Sequence, residues 1–258
     1  MRPRAREIVA RGGVLVIAHR GASADAPENT LRAFRLGLEA GADLVELDTR
    51  HSADDVPMVF HDKDLGRTTD AVSVWGKGKL RFEERTQAEL ERLDAGSWFD
   101  PRYAAGTIHI PTLAQALDVI QPEGTTLIER KTGDAATLLT LLEERGAVER
   151  VVVQAFDWPF LAACRARSPK LVLAALGSRA LPPARLEEAV AAGASVMGWN
   201  HKHVNAALVR RVHERGLKLW VYTVNDDRRA LELVALGVDG LITDRPAGIR
   251  QALQRATK

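Results

Sequence analysis

Three acidic residues, Glu46, Asp48 and Glu129, stand in otherwise apolar stretches, Leu44-Val45-Glu46-Leu47-Asp48 and Thr125-Thr126-Leu127-Ile128-Glu129. Acidic side chains alternating in an apolar strand are costly to bury without partners. Brought together they form an all-oxygen set that suits a hard cation such as Mg²⁺ or Ca²⁺, with water completing the shell. The structural alternative is a ring of ion pairs with Arg20 and Lys131. His19 and His61 end apolar runs on either side of these carboxylates, and imidazoles change charge near neutral pH, so the pair suits one general base and one general acid. Arg20 and Lys131 would add the fixed positive charge that a phosphodiester needs as negative charge builds on its oxygens. His51, His109, His201, His203 and His213 lack such company and are expected at the surface or behind the site.

Positioning these groups requires strands that end side by side. Short β-branched, apolar runs at 14–18, 43–49, 56–61, 125–130, 150–155, 170–176, 195–199, 218–224 and 240–243 alternate with helix-like segments, among them 28–40, 135–145, 185–192 and 206–215. This is the rhythm of βαβ units around a parallel sheet. Nine strands are one too many for an eight-stranded barrel. The link between the second and third is too short for a parallel crossover, so they are expected to form a hairpin. With Asp54 and Asp55 at its tip, 53 faces 56 and Asp48 lies opposite His61, with Glu46 two positions away on the same face. The remaining eight strands predict a TIM (β/α)8 barrel, a single domain over residues 1–258 with a hairpin extension after strand 2. The stretch from about 62 to 110, with Trp75, Trp98, Phe99 and Tyr103, has no βα rhythm and is expected to be an insertion on the catalytic face.

In such a barrel the site is built at the C-terminal strand ends. Those ends carry His19-Arg20, Glu46 and Asp48, His61-Asp62, Glu129 and Lys131, Gln154, Trp199-Asn200-His201, Thr223-Asn225 and Thr243-Asp244. Pro27-Glu28-Asn29-Thr30 reads as a helix start.

The bulk numbers agree with one compact globular chain: 258 residues, 46% hydrophobic and 27% charged. A formal net charge of +2 argues neither for nor against nucleic acid by itself, and the absence of a concentrated basic stripe with interleaved aromatics argues against a nucleic-acid binder. The lone Cys164 excludes an internal disulfide and falls in a helix-like stretch expected in the core. Arg2, Arg4, Arg6 and Arg11 precede an apolar run too short for a signal core, which reads as a strand and leaves a cytoplasmic expectation. No stretch has the apolar length to span a bilayer. The oligomeric state is left open.

The same residues carry a likeness. The chain resembles the glycerophosphodiester phosphodiesterase family through Ala18-His19-Arg20-Gly21, Pro27-Glu28-Asn29-Thr30, Glu46-Leu47-Asp48, His61-Asp62 and Arg67-Thr68-Thr69. The likeness continues in Ile110-Pro111-Thr112-Leu113, Glu129 with Lys131, Gln154 with Phe156, Thr223-Val224-Asn225 and residues 238–244. The resemblance implies a barrel enzyme that uses one divalent cation, Mg²⁺ or Ca²⁺, to hydrolyse small glycerophosphodiesters to glycerol 3-phosphate and an alcohol. It implies Glu46, Asp48 and Glu129 as metal ligands, His19 and His61 as the acid/base pair, and Arg20 and Lys131 on the phosphate. Tyr222 would form a substrate wall, with Glu28, Asn29 and Trp199 in support. The family usually has Asp-Gly at the hairpin tip, Glu-Ile-Lys at the third strand end, Ser before the Phe and Trp before Thr-Val-Asn. Here those places hold Asp54-Asp55, Glu129-Arg130-Lys131, Ala155 and Tyr222. Two other readings remain at this point: a lysophospholipase D with an apolar groove near Trp75, Trp98 and Phe99, and a non-catalytic barrel that binds phosphorylated metabolites.

Overall fold

A computed structural model of the protein describes residues 4–103 and 106–256; residues 104–105 of the expected insertion and the chain ends lie outside the described residues. The nine strands are β1 (Leu15–Ala18), β2 (Leu44–His51), β3 (Pro57–Val59), β4 (Thr125–Arg130), β5 (Val151–Ala155), β6 (Val172–Gly177), β7 (Val196–Asn200), β8 (Lys218–Tyr222) and β9 (Gly240–Thr243). They run in the order β1-β9-β8-β7-β6-β5-β4-β2, and β1 pairs with β2 to close the ring. Every pairing in the ring is parallel, and β3 is added antiparallel to the outer length of β2. This is the expected TIM barrel with its hairpin extension.

Strand alternation places the site. Leu15 and Ile17, Leu44, Leu127, Val152, Val172 and Ala174, Val196, Trp220 and Ile242 form one apolar cluster that fills the barrel interior. Residues of opposite parity, such as Val16, Val45, Leu47, Ile128, Val153 and Leu173, join the larger cluster beneath the helices. Continuing the inward parity toward the C-terminal ends leads to His19, to Glu46 and Asp48, to Glu129 and Lys131, and to Gln154, Tyr222 and Asp244. The helix Ala5–Ala10 adds Ala5, Ile8 and Val9 to the interior cluster. Cys164 is buried in the helix Trp158–Arg167. Among the described residues, no helix is long and apolar enough to cross a membrane.

The hairpin register differs from the expected one by a residue. Thr49 pairs with Val59, Arg50 with Met58 and His51 with Pro57, so Phe60, whose N–H donates to the Asp48 carbonyl, stands where His61 was expected. The turn explains the shift. Ser52 N–H donates to Val56 O at 3.0 Å, which leaves three loop residues, and of these only Asp55 adopts a left-handed φ of 58°. A two-residue type I′ turn would demand positive φ at both Asp54 and Asp55, a conformation that Gly accepts and Asp accepts less readily. The Ser52 hydroxyl locks the longer turn by accepting from Val56 N–H and donating to Asp54. His61 reaches the barrel mouth because the ladder has ended, and Arg50 Nε holds its carbonyl at 2.9 Å.

Residues after His61 form the short helices Ala71–Trp75 and Gln87–Leu90 over a separate apolar cluster of Met58, Phe60, Leu65, Leu80, Phe82, Leu90, Leu93 and Ile110. Phe60 and Phe82 stack there with centroids 5.0 Å apart. Trp75 lies 4.3 Å beneath the Arg85 guanidinium, and Trp98 and Phe99 meet edge to face at 5.7 Å. None of these three lines the cavity at the barrel mouth.

Candidate active site

A cavity of about 210 Å³ opens at the C-terminal end of the barrel, lined among others by His19, Arg20, Glu46, His61, Glu129 and Lys131. Parallel register sets its floor: Asp48 is level with Glu129 across the β2–β4 pair, and Glu129 with Gln154 across β4–β5. Glu46, Asp48 and Glu129 are all buried, and each offers an oxygen within 4.8 Å of the other two. Oxygens held at about 2.4 Å from one ion lie no more than about 4.8 Å apart, so this spacing fits a single hard cation. Asp48 Oδ1 and Gln154 Oε1 are buried without an aligned hydrogen bond, although Lys131 Nζ is 3.0 Å from the former.

The three carboxylates differ in their surroundings. Burial, together with the charges of Asp48 and Glu129, raises Glu46 to about 8, against the pull of His19 and Arg20. Burial also raises Glu129, with Asp48 adding to it and Lys131 opposing. Asp48 goes the other way: burial works against its ionised form, but Lys131, Arg20, His61 and a hydrogen bond from Asn29 hold it well below the usual carboxylate range. Glu46 accepts from Arg20 N–H at 2.8 Å and from Gln154 Nε2 at 3.3 Å.

The segment 27–30 does two jobs. Thr30 is the N-cap of the helix Leu31–Glu39, accepting from Ala33 N–H, which satisfies the helix-start reading. The residues before it face the site. Asn29, at φ 58°, donates Nδ2–H to Asp48 Oδ2 and accepts from Asp48 N–H, while Glu28 accepts from Arg20 at 2.8 Å. Glu28 also accepts two bonds from Arg67, which ties Asp62 as well, so Glu28 stays ionised with its pKa lowered. Lys131 bonds Glu129, and its ammonium is kept charged by Asp48 and Glu129 against the cost of burial.

Each site histidine leans on a carboxylate. His19 Nδ1 lies 2.6 Å from Asp244 Oδ1, and His61 Nδ1 lies 2.6 Å from Asp62 Oδ1, so in both rings Nε2 is the nitrogen left for the cavity. Their titration differs. Burial lowers His19, but Asp244 and Glu46 outweigh it and the pKa is raised. Burial also lowers His61, and Arg20 and Lys131 reinforce this against Asp48 and Asp62, leaving the pKa below the usual imidazole value.

Sequence reasoning proposed no role for Asp244, Asp62, Arg67 or Gln154. The first two and Gln154 sit at strand ends, where polarity was their signal. Arg67 lies within the insertion, where no periodicity marks it. Tyr222 donates its hydroxyl to Gly177 O at 2.8 Å and meets Phe156 edge to face, forming one wall of the cavity. Trp199 lies outside the cavity, donating Nε1–H to Arg179 O at 2.7 Å in a neighbouring cleft. Arg130 turns outward, over the Phe160 ring and onto Asp157. His51 is buried on β2 and does not line the cavity.

A parallel (β/α)8 barrel whose mouth gathers three carboxylates, two histidines and two cations defines an enzyme of the kind that handles an anionic ester. Residues 19–248 match the model of the glycerophosphoryl diester phosphodiesterase family, and the chain belongs to that family. A glycerophosphodiester phosphodiesterase of Bacillus subtilis (strain 168) is 32% identical over 256 residues, covering 90% of this chain and 84% of that one. One from Caldanaerobacter subterraneus is also 32% identical, over 90% of this chain and 94% of its own. Among solved structures, an Oleispira antarctica phosphodiesterase in complex with its product sn-glycerol-3-phosphate superposes with a TM-score of 0.84 at 30% identity, covering 93% of this chain and 96% of that one. The chain is thus a phosphoric diester hydrolase of glycerophosphodiesters.

Proposed function

We propose that the chain hydrolyses glycerophosphodiesters to glycerol 3-phosphate and an alcohol, with one divalent cation, Mg²⁺ or Ca²⁺, held by Glu46, Asp48 and Glu129. The observation that carries this is the approach of the three carboxylates within 4.8 Å of one another in the cavity that His19 and His61 also enter. Two of the three are pushed toward the neutral form, as expected of ligands that await a positive charge. Bound there, the cation would neutralise charge on the phosphoryl oxygens as a Lewis acid.

Arg20 and Lys131 bind the phosphodiester anion and remain charged throughout. Glu28 and Arg67 fix Arg20, and Asn29 fixes Asp48, so these residues orient rather than react. His61, the less basic imidazole, takes at Nε2 the proton of the attacking oxygen, from water or from the substrate's own glycerol hydroxyl. That oxygen bonds to phosphorus as the bond to the departing alcohol breaks; where the glycerol hydroxyl attacks, the product is a cyclic phosphate, and water then attacks phosphorus in a second step that breaks the ring P–O bond and gives glycerol 3-phosphate. His19, kept protonated by Asp244, gives its Nε2 proton to the leaving alkoxide. Tyr222 and Phe156 exclude water from one side.

Release of glycerol 3-phosphate from glycerophosphocholine, measured with Mg²⁺ or Ca²⁺ and again with excess chelator, tests the reading. Activity that survives chelation would remove the metal from the scheme. Preference for long-chain lysophosphatidylcholine would replace the substrate class.

A further inference from the structure

The catalytic cavity is too small to be the whole binding site. Its volume of about 210 Å³ falls below the roughly 300–1,000 Å³ of a complete ligand pocket, so part of the substrate must lie outside it. Two clefts adjoin it. The one on the β1/β9 side, about 260 Å³, shares His19 and Arg20 with the cavity, and its polar groups are already engaged with one another. Ser23 donates to His19 O and Asp244, Asn225 donates to Asp244, Arg20 to Glu28, and Arg245 to Asn225 O.

The cleft on the β6/β7 side differs. It measures about 320 Å³, shares Phe156 and Leu176 with the cavity, and together the two reach the size of a full pocket. Its walls are aromatic and its lip carries Ser178, Arg179 and Arg185, with no carboxylate among the residues that line it. The loop that bears Arg179 is pinned by three aromatic donors: Trp158 Nε1–H to Leu176 O, Tyr222 O–H to Gly177 O and Trp199 Nε1–H to Arg179 O. Gly177 permits this, because a Cβ there would fall 2.0 Å from the Trp199 ring. Arg185 lies 3.6 Å from the Trp158 ring centroid and pairs with Glu188. Among the described residues, the exposed Arg179 guanidinium forms no hydrogen bond or ion pair.

We infer that, with the leaving oxygen beside His19 in the cavity, the rest of the alcohol half runs past Phe156 and Leu176 into this cleft, which selects alcohols that carry an anionic group, for which Arg179 is the partner. The inference rests on the function proposed above. A loop whose carbonyls are pinned in this way carries an unspent guanidinium beside aromatic walls, which attracts a phosphate or carboxylate and repels a quaternary ammonium.

The test compares kcat/KM for three substrates with the same glycerol phosphate half: glycerophosphocholine, glycerophosphoglycerol and bis(glycerophospho)glycerol, whose leaving alcohol carries a second phosphodiester. The wild type is expected to favour the last over the first by about three- to tenfold, the range for one partly exposed charged contact, and added salt should shrink the ratio. Arg179→Glu should abolish or invert the preference, lowering kcat/KM for bis(glycerophospho)glycerol more than for glycerophosphoglycerol or glycerophosphocholine. The milder Arg179→Gln serves the same end if the charge reversal lowers Tm. A ratio that is insensitive to both variants and to salt overturns the subsite and leaves the proposed function standing. Absence of glycerol 3-phosphate from all three substrates overturns both.

Discussion

Replacing Glu46 by Gln fixes this position of the acidic centre in its neutral form without emptying its space. Two unit charges 4.8 Å apart repel by about 3.5 kcal/mol at an effective dielectric of about 20, and Glu46 has two neighbours within that distance, Asp48 and Glu129. Arg20 and His19 offset part of this, and the balance leaves Glu46 titrating at about 8 instead of 4.5. The sign follows from proton counting. Between 4.5 and about 8 the unfolded chain has lost the Glu46 proton and the folded protein retains it, so stability conferred by the protonated form is full below 4.5 and is lost as pH rises through about 8. In chelator, the wild-type Tm should therefore decline across that window by more than that of Glu46→Gln. The amide keeps its acceptor for Arg20 N–H and can donate to Gln154 Oε1 once the Gln154 amide turns over, since Gln154 Nε2 faces this position in the wild type. A cation that binds the folded state at about 100 times its Kd stabilises by about 2.7 kcal/mol, or roughly 5–10 °C in Tm for a chain of this size. That increment should grow with pH, since ligands must be ionised to bind, and should largely vanish in the variant. Scanning calorimetry in chelator and in Mg²⁺ or Ca²⁺ measures all of this. Parallel Tm profiles for the two proteins, with equal metal increments, would refute the reasoning.

Other consequences concern the histidines and the loop beside them. His19→Ala should slow cleavage of natural diesters by about 10²–10⁴-fold but spare a p-nitrophenyl ester of glycerol 3-phosphate, whose leaving group needs no proton; His61→Ala should slow both alike. Equal losses in both substrates for both variants would invert or dissolve the assignment. Asp244→Asn removes the group that holds His19 above its ordinary pKa, so the falling limb of the kcat profile at high pH should move to lower pH; a limb that stays in place would separate His19 from that titration. Gly177→Ala drives a methyl into the Trp199 ring and should cost about 1–3 kcal/mol, read as a lower Tm, with a wild-type Tm showing that the ring has room to move.

Much of this molecule was readable residue by residue because the relevant signals are local. Strand parity depends only on the two-residue alternation of the backbone, so apolar interior positions and polar strand ends follow from the order of residues along each run. Leu44, Glu46 and Asp48 share a face whatever their neighbours do. The count of eight parallel strands rested likewise on a connection too short to cross over.

What tertiary structure decided has a different range. The hairpin register turned on one conformational choice, a three-residue loop with Asp55 alone at positive φ, and a shift of one residue was enough to place Phe60 rather than His61 across from Asp48. The partnership of His19 with Asp244 joins residues 225 positions apart, and that of Arg67 with Glu28 joins residues 39 apart. No periodicity encodes such pairs, because they exist only once the barrel has closed β9 against β1 and the insertion has folded over its own apolar cluster. The sequence by itself therefore determined which side chains point inward. Closure of the ring determined which of them meet, and so which carboxylate is held ionised, which is held neutral and which imidazole keeps its proton.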